Sequence, residues 1–236
     1  VRTAAQYDAL FKNVTNQKAI GEVSNSYLYC PSTAQKIKEA LPDVQIVMIL
    51  RNPIERLYSQ FLMNLKLGKI AERDLLKEIA ADQAKSVKGW GVSHLYLEVG
   101  LYYEQVKRYT DLFPGHKIKI LFYDDYKQQP KQAMQELFAF LHVNPAFEPD
   151  MSQRYNEAGM PRFGKLNYWL TQIGVYGLVK RLFPADIKER LKSVIYTRSN
   201  IPSITPQEKA WLIDYYRSDV QQLSTLLNKD LSHWLK

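Results

Sequence analysis

The chain has 236 residues, of which 46% are hydrophobic and 24% charged, with a net charge of +8 and a pI near 9.3. That length and apolar content suit one globular domain over residues 1–236 with a full core, and no stretch nears the roughly eighteen consecutive apolar residues of a membrane span. A lone cysteine, Cys30, and four scattered histidines without ligand spacing exclude an internal disulfide and a recognisable metal cluster, and they point to a reducing, cytoplasmic compartment.

The positive balance favours anionic partners, but the charge is dispersed apart from short clusters such as Lys188 to Lys192. Neither a basic stripe nor a reading motif supports nucleic-acid binding. In chain order, residues 1–18 form a polar lead with a short helix around Tyr7, Leu10 and Phe11. Ala19 to Val23 is predicted as a short strand that carries Glu22, followed by a polar loop. Pro31 opens a helix through Ile37 to Ala40. Ile46 to Leu50 is an unbroken apolar run, the pattern of a strand buried on both faces of a parallel sheet. Asn52 can cap the next helix, Pro53 suits its first position, and Glu55 sits where a capping box places its carboxylate. Ile54, Leu57, Phe61, Leu62 and Leu65 then fall on one helical face. Arg51 therefore stands where a strand ends and the positive end of a helix begins, a place where open α/β sheets bind anions. Ser59 lies two turns further on, off the apolar face. On the residues alone, an ion-paired arginine and a solvated serine explain the pair better than a phosphate site does.

A charged helix is expected from Ala71 to Ala84, ending in the flexible junction Lys88-Gly-Trp-Gly91. The next helix is predicted from Ser93 to Phe113, with Leu95, Val99, Tyr102, Val106 and Tyr109 as its core stripe and Gly100 marking a close approach. Pro114-Gly115 stops it. Lys117 to Phe122 reads as a strand, Tyr123-Asp124-Asp125 as its polar end, and Met134, Leu137, Phe138 and Leu141 as the inward face of another helix. This alternation argues for a parallel α/β sheet. From Glu148 to Gly164 the chain is a glycine-punctuated basic loop, suited either to cradling a phosphate or to an ordinary surface. Residues 165–200 read as helical and basic, with Leu166, Trp169, Leu170 and Ile173 at helical spacing. A membrane-touching face is one reading, but a core helix with a lid-like neighbour is preferred. Thr205-Pro-Gln-Glu208 is a capped start for a last helix carrying Trp211, Leu212, Tyr215, Val220, Leu223 and Leu227.

The segment Arg51-Asn-Pro-x-x-Arg56-x-x-Ser59-x-Phe61 resembles the 3′-phosphate-binding motif of sulfotransferases that use 3′-phosphoadenosine 5′-phosphosulfate (PAPS). The likeness runs from about Gly21 to Lys236 and is strongest to the bacterial and heparan-sulfate-type branch. It implies a three-layer α/β sandwich with a central parallel sheet, the P-loop-NTPase-like sulfotransferase fold, with Arg51 and Ser59 on the 3′-phosphate. Glu22-Val-Ser24-Asn-Ser26-Tyr27 resembles the family's Glu-x-Ser/Thr-Pro-x-Tyr segment, which makes Glu22 the general base. Here Asn25 replaces the usual proline, and Val23 stands where heparan enzymes often carry lysine. Tyr96-x-x-x-Gly100-x-Tyr102 is similar to a family signature near cofactor and acceptor, although Val99 replaces its usual arginine. By that likeness Tyr96 and His94 are candidates for the acceptor side, while a structural histidine is the default for His94. The late loop resembles the one that closes over the nucleotide, with Arg162 for the 3′-phosphate and Gly164 and Lys165 as further contacts.

The implied reaction moves a sulfuryl group from PAPS to a hydroxyl or amine of a glycan, acyl chain or small metabolite, leaving adenosine 3′,5′-bisphosphate and requiring no metal. The family's second anion site is a Lys-x-Gly-Thr-Thr-like loop upstream of the glutamate segment. No glycine here is followed by Thr-Thr or by Lys-Thr/Ser. The expectation is thus a chain that opens part-way into the domain and is catalytically poor alone. The alternative is a non-catalytic anion- or glycan-binding module on the same scaffold. A P-loop phosphotransferase is disfavoured, because the chain has neither a Walker-type loop nor a Mg²⁺-binding carboxylate pattern.

Overall fold

The computed structural model describes residues 3–88, 95–150, 160–174, 196–197 and 201–236. They fall into two compact units, Val1–Leu50 with Arg108–Asp150, and Arg51–Lys107 with Met151–Lys236.

The first unit is built on two parallel strands, β1 (Ile46–Leu50) and β2 (Ile118–Phe122), in register from Ile46 opposite Ile118 to Leu50 opposite Phe122. Before them come a short helix α1 (Ala4–Asp8) and α2 (Thr33–Ala40). Met48 and Leu50 are buried, whereas Val47 and Ile49 are exposed. The five-residue apolar run is therefore one-sided in burial, a correction to the expectation of a strand covered on both faces. The segment Ala19–Val23 is also irregular rather than a strand. It has no ladder partner among the described residues, and Val23 is fully exposed. After β2 the chain turns straight into α6 (Tyr123–Gln128), and Asp124 and Asp125 sit in its first turn, where the helix dipole favours carboxylates. Pro130 opens α7 (Pro130–Phe140). Gln45 Nε2 donates to the Phe140 carbonyl at 2.7 Å and Lys117 Nζ to that of Asp43 at 3.0 Å, tying the loops around the strands.

The second unit is helical around α3 (Pro53–Lys66) and a 22-residue helix, α9 (Pro206–Leu227). Between them in sequence lie α4 (Leu75–Gln83), the first part of α5 (Tyr102–Leu112), α8 (Gly164–Gln172), and the antiparallel two-residue strands β3 (Met160–Pro161) and β4 (Tyr196–Thr197). The apolar stripe of α3, Ile54, Leu57, Phe61 and Leu65, is buried together with Leu212, Tyr216, Val220 and Leu223 of α9 and with Leu231 and Trp234. A capping box starts α9: the Thr205 hydroxyl accepts from the Glu208 amide, and the Glu208 carboxylate accepts from that of Thr205.

The helix expected from Ser93 to Phe113 is divided. Glu98–Gly100 forms a 3₁₀ turn, and α5 begins anew at Tyr102. Its cap comes from far along the chain, because the Asp219 carboxylate accepts from the amides of Tyr102 at 2.8 Å and Tyr103 at 3.1 Å. Gly100 lies against the Tyr216 ring, where a Cβ would meet the hydroxyl oxygen at 2.8 Å. The close approach read from the glycine is real, and it belongs to packing.

Candidate functional site

In the second unit the residue after β1 is held from three sides. Asn52 Oδ1 accepts from the amides of Ile54 at 2.9 Å and Glu55 at 3.4 Å, capping α3. Its Nδ2 donates to the Trp234 carbonyl at 3.3 Å, so the end of the chain pins the turn. Tyr102, buried against the Trp234 ring, is hydrogen-bonded to the Arg51 main chain. Arg51 points its guanidinium along the helix, where Nε and Nη2 both bond Glu55 Oε2, at 3.1 and 3.0 Å. Glu55 is thus an ion-pair partner for Arg51 and does not close a capping box with Asn52. One turn on, Arg56 donates to Gln60 Oε1 and to the Tyr96 carbonyl. Ser59 is exposed on α3, separated from Glu55 by one helical turn and so on the same side.

The late basic segment reaches the same helix. β3 packs on α3, and Arg162 follows it directly, exposed. Phe163 precedes α8 without supplying a side-chain cap, so the first amides of α8 have no side-chain acceptor from that position. Gly164 begins the helix with the Arg73 guanidinium 3.9 Å from where a Cβ would sit, and Lys165 is exposed. A forked arginine beside one helix N-terminus, with two exposed cations at the start of another, is a donor set that suits phosphate oxygens.

Glu22 belongs to the first unit and is exposed. Two phenols face it. Hydrogen bonding to its carboxylate, then burial, pushes the Tyr27 hydroxyl up to about 12; burial and the same carboxylate raise Tyr7. Both hydroxyls therefore stay protonated donors to Glu22 at neutral pH. The following turn is fixed by a Ser24–Ser26 hydroxyl contact of 2.8 Å, by Tyr109 donating to the Tyr27 carbonyl at 2.8 Å, and by Arg108 donating to the carbonyls of Leu28 and Tyr29 at 3.1 Å each. The sequence reading missed Tyr7 and Tyr27 as partners of Glu22; the only signal was a tyrosine on either side of it.

Tyr96 departs from the acceptor contact expected of it. The side chain is 0% exposed, its hydroxyl accepts from Asn64 Nδ2 at 2.7 Å, and it bonds the buried Glu78 carboxyl, which burial raises. Asp82 holds the adjacent main chain by accepting from the amides of Leu95 and Tyr96 and from Lys88. This interior network, not a surface, claims the phenol. His94 lies outside the described residues. No group of three or more His, Cys, Asp or Glu is placed to hold a metal ion among the described residues.

The family model of the sulfotransferase domain matches residues 26–156. The chain belongs to the sulfotransferase family. The matched stretch includes Arg51 and Ser59, whereas Glu22 and the Arg162–Lys165 segment fall outside it. Similarity extends to the membrane-associated sulfotransferase kil1 of Dictyostelium discoideum, 22% identical over 59% of this chain and 46% of that protein. It extends also to the bifunctional heparan sulfate N-deacetylase/N-sulfotransferase 1 of Caenorhabditis briggsae, 25% identical over 64% of this chain and 18% of that protein. This sulfotransferase domain thus spans less than half the length of either curated relative. A sulfotransferase from Alicyclobacillus acidocaldarius superposes with a TM-score of 0.75 at 25% identity, covering 100% of this chain and 75% of that one. The sulfotransferase α/β fold follows.

Proposed function

We propose that this protein transfers a sulfuryl group from PAPS to an acceptor hydroxyl or amine. The observation that carries the proposal is the Arg51 fork at the capped start of α3, with the Arg162–Lys165 segment packed by way of β3 on that same helix. Arg51, Ser59 and Arg162 are assigned to the 3′-phosphate, with the Gly164 amide and Lys165 as further contacts. Binding the nucleotide at this remote end supplies energy for aligning the reacting end. Glu22 is assigned as the base that takes the acceptor proton, held in orientation by the Tyr27 and Tyr7 hydroxyls. PAPS itself supplies the sulfuryl group and departs as adenosine 3′,5′-bisphosphate; cationic side chains neutralise its charge, so no metal is assigned.

The acceptor we propose is a glycan, acyl chain or small metabolite; the glycan draws support from one relative being by name a heparan sulfate N-sulfotransferase. A reducing, cytoplasmic setting fits the single cysteine, while another relative is by name membrane-associated; among the described residues no helix is long and apolar enough to cross a membrane. The decisive test is calorimetric titration with adenosine 3′,5′-bisphosphate. Saturable binding that Arg51→Ala weakens by roughly 10-fold or more is expected, and equal affinity in that variant overturns the assignment.

A further inference from the structure

The helix α8 is docked the wrong way round for a core helix. Asn167, 4% exposed, donates through Nδ2 to the carbonyls of Lys66 at 3.2 Å and Leu65 at 3.5 Å. Thr171 donates to the Leu67 carbonyl at 3.2 Å, and Gly68, at φ +65, lies close against both side chains. Asn167 and Thr171 are one turn apart and thus share a face. The polar face of α8 therefore satisfies the last carbonyls of α3, the groups a helix C-terminus leaves unpaired. The apolar stripe is left pointing outward: Leu166 is 55% exposed, Trp169 64% and Ile173 66%, and Phe163 at the entry is 71% exposed. Leu67 of the supporting turn adds a further half-exposed side chain at 48%. The preference for a core helix is overturned for α8, because Asn167 and Thr171 win the contact with α3 through hydrogen bonds that leucine cannot make; residues 175–195 and 198–200 of that expected helical stretch lie outside the described residues.

A contiguous outward apolar face of this kind marks an interaction surface. Its charge selects the partner. Residues 160–174 hold two cations, Arg162 and Lys165, and no carboxylate, and the supporting residues 62–74 hold Lys66, Lys69 and Arg73 against Glu72 and Asp74. An apolar stripe with a tryptophan, on a helix that carries no carboxylate and rests on a net-positive segment with Lys66 and Lys69, has the amphipathic pattern of a helix seated in the headgroup layer of an anionic membrane. We propose that the outward face of α8 docks this protein peripherally onto an anionic lipid bilayer.

The test is sedimentation of the full chain with vesicles of phosphatidylcholine alone and of phosphatidylcholine with phosphatidylglycerol in equal parts. Binding to the anionic vesicles is expected, with little to the neutral ones, and it should weaken as salt is added. Replacing Trp169 and Ile173 together by Ser should weaken it by about tenfold or more, from the apolar area withheld from lipid. Because both side chains are exposed, the unfolding midpoint of the double variant should match the parent, which separates lost docking from lost folding. Trp211→Ser, on α9, should bind as the parent does. The proposal is overturned if the parent fails to sediment with anionic vesicles at low salt, or if the double variant binds equally well. It is also overturned if gel filtration shows a dimer that the same double variant dissolves, since a second copy would then cover the face.

Discussion

In the nucleotide site proposed above, Glu55 competes with the 3′-phosphate for Arg51. Its Oε2 takes both Nε and Nη2 of Arg51 at 3.0–3.1 Å, and the two side chains are 31% and 50% exposed. A 3′-phosphate held by Arg51 as proposed would use the same fork, so the nucleotide would have to displace this carboxylate or bind beside it. At that exposure the ion pair is worth about 0.2–1 kcal/mol, and Glu55→Gln also removes a negative charge next to an incoming dianion. Affinity for adenosine 3′,5′-bisphosphate should rise by about three- to tenfold. The helix should lose about 0.3–1 kcal/mol, because a carboxylate in its first turn is removed. Arg51→Ala should lose about 1.5–3 kcal/mol, roughly 10- to 150-fold, because charge-assisted bonds to the phosphate vanish. Arg51→Lys should recover only part of that, since an ammonium cannot make the fork. Titration calorimetry on the four proteins at two salt concentrations reads the affinities, and urea unfolding reads the loss in the helix. If Glu55→Gln weakens binding as much as Arg51→Ala does, the carboxylate orients the arginine and does not compete, and the reasoning fails.

Glu22→Gln should abolish sulfuryl transfer while nucleotide binding persists, and near-full activity in that variant removes Glu22 from the base role. Tyr27→Phe should lower kcat by about tenfold with KM for the donor unchanged, since it loosens the carboxylate without removing it; an unchanged kcat means the phenol is only structural. Burial pushes the Asp219 carboxyl up to about 6 despite its bonds from the Tyr102 and Tyr103 amides. The folded protein therefore holds this proton more tightly than the unfolded chain, so this group's contribution to stability is full below about pH 4 and is lost as pH rises through about 6. Asp219→Asn should flatten that slope in urea unfolding, and Asp219→Ala should cost about 1–3 kcal/mol at any pH by leaving the start of α5 uncapped. Gly100→Ala should cost about 1–3 kcal/mol because its Cβ would enter the buried Tyr216 ring; Tyr216→Phe in the same chain should relieve part of it.

The local chemistry of several elements was legible in the residues. Asn52-Pro53 and Thr205-Pro206 announce α3 and α9, because a cap and an N-terminal proline act within three or four residues of each other. The apolar stripe of α3, the strands at Ile46–Leu50 and Ile118–Phe122, and the Arg51–Ser59 motif are written in spacing and residue type. Features that depend on distant partners were not legible. α5 begins where it does because Asp219, more than a hundred residues away, supplies its cap. Tyr96 is interior because Asn64 and Glu78 share its hydroxyl. Glu22 acquires its phenols only when the chain folds back on Tyr7.

The sequence by itself determined that this protein has a strand–turn–helix unit at Ile46–Lys66 and belongs among the sulfotransferases, since caps, apolar period and motif are short-range or compositional. Only the tertiary structure decided which face of an amphipathic element turns inward. One face of β1 stays open, and α8 buries Asn167 and Thr171 while exposing Trp169, because hydrogen bonds to the unpaired carbonyls at the end of α3 outweigh the hydrophobic pattern at that contact.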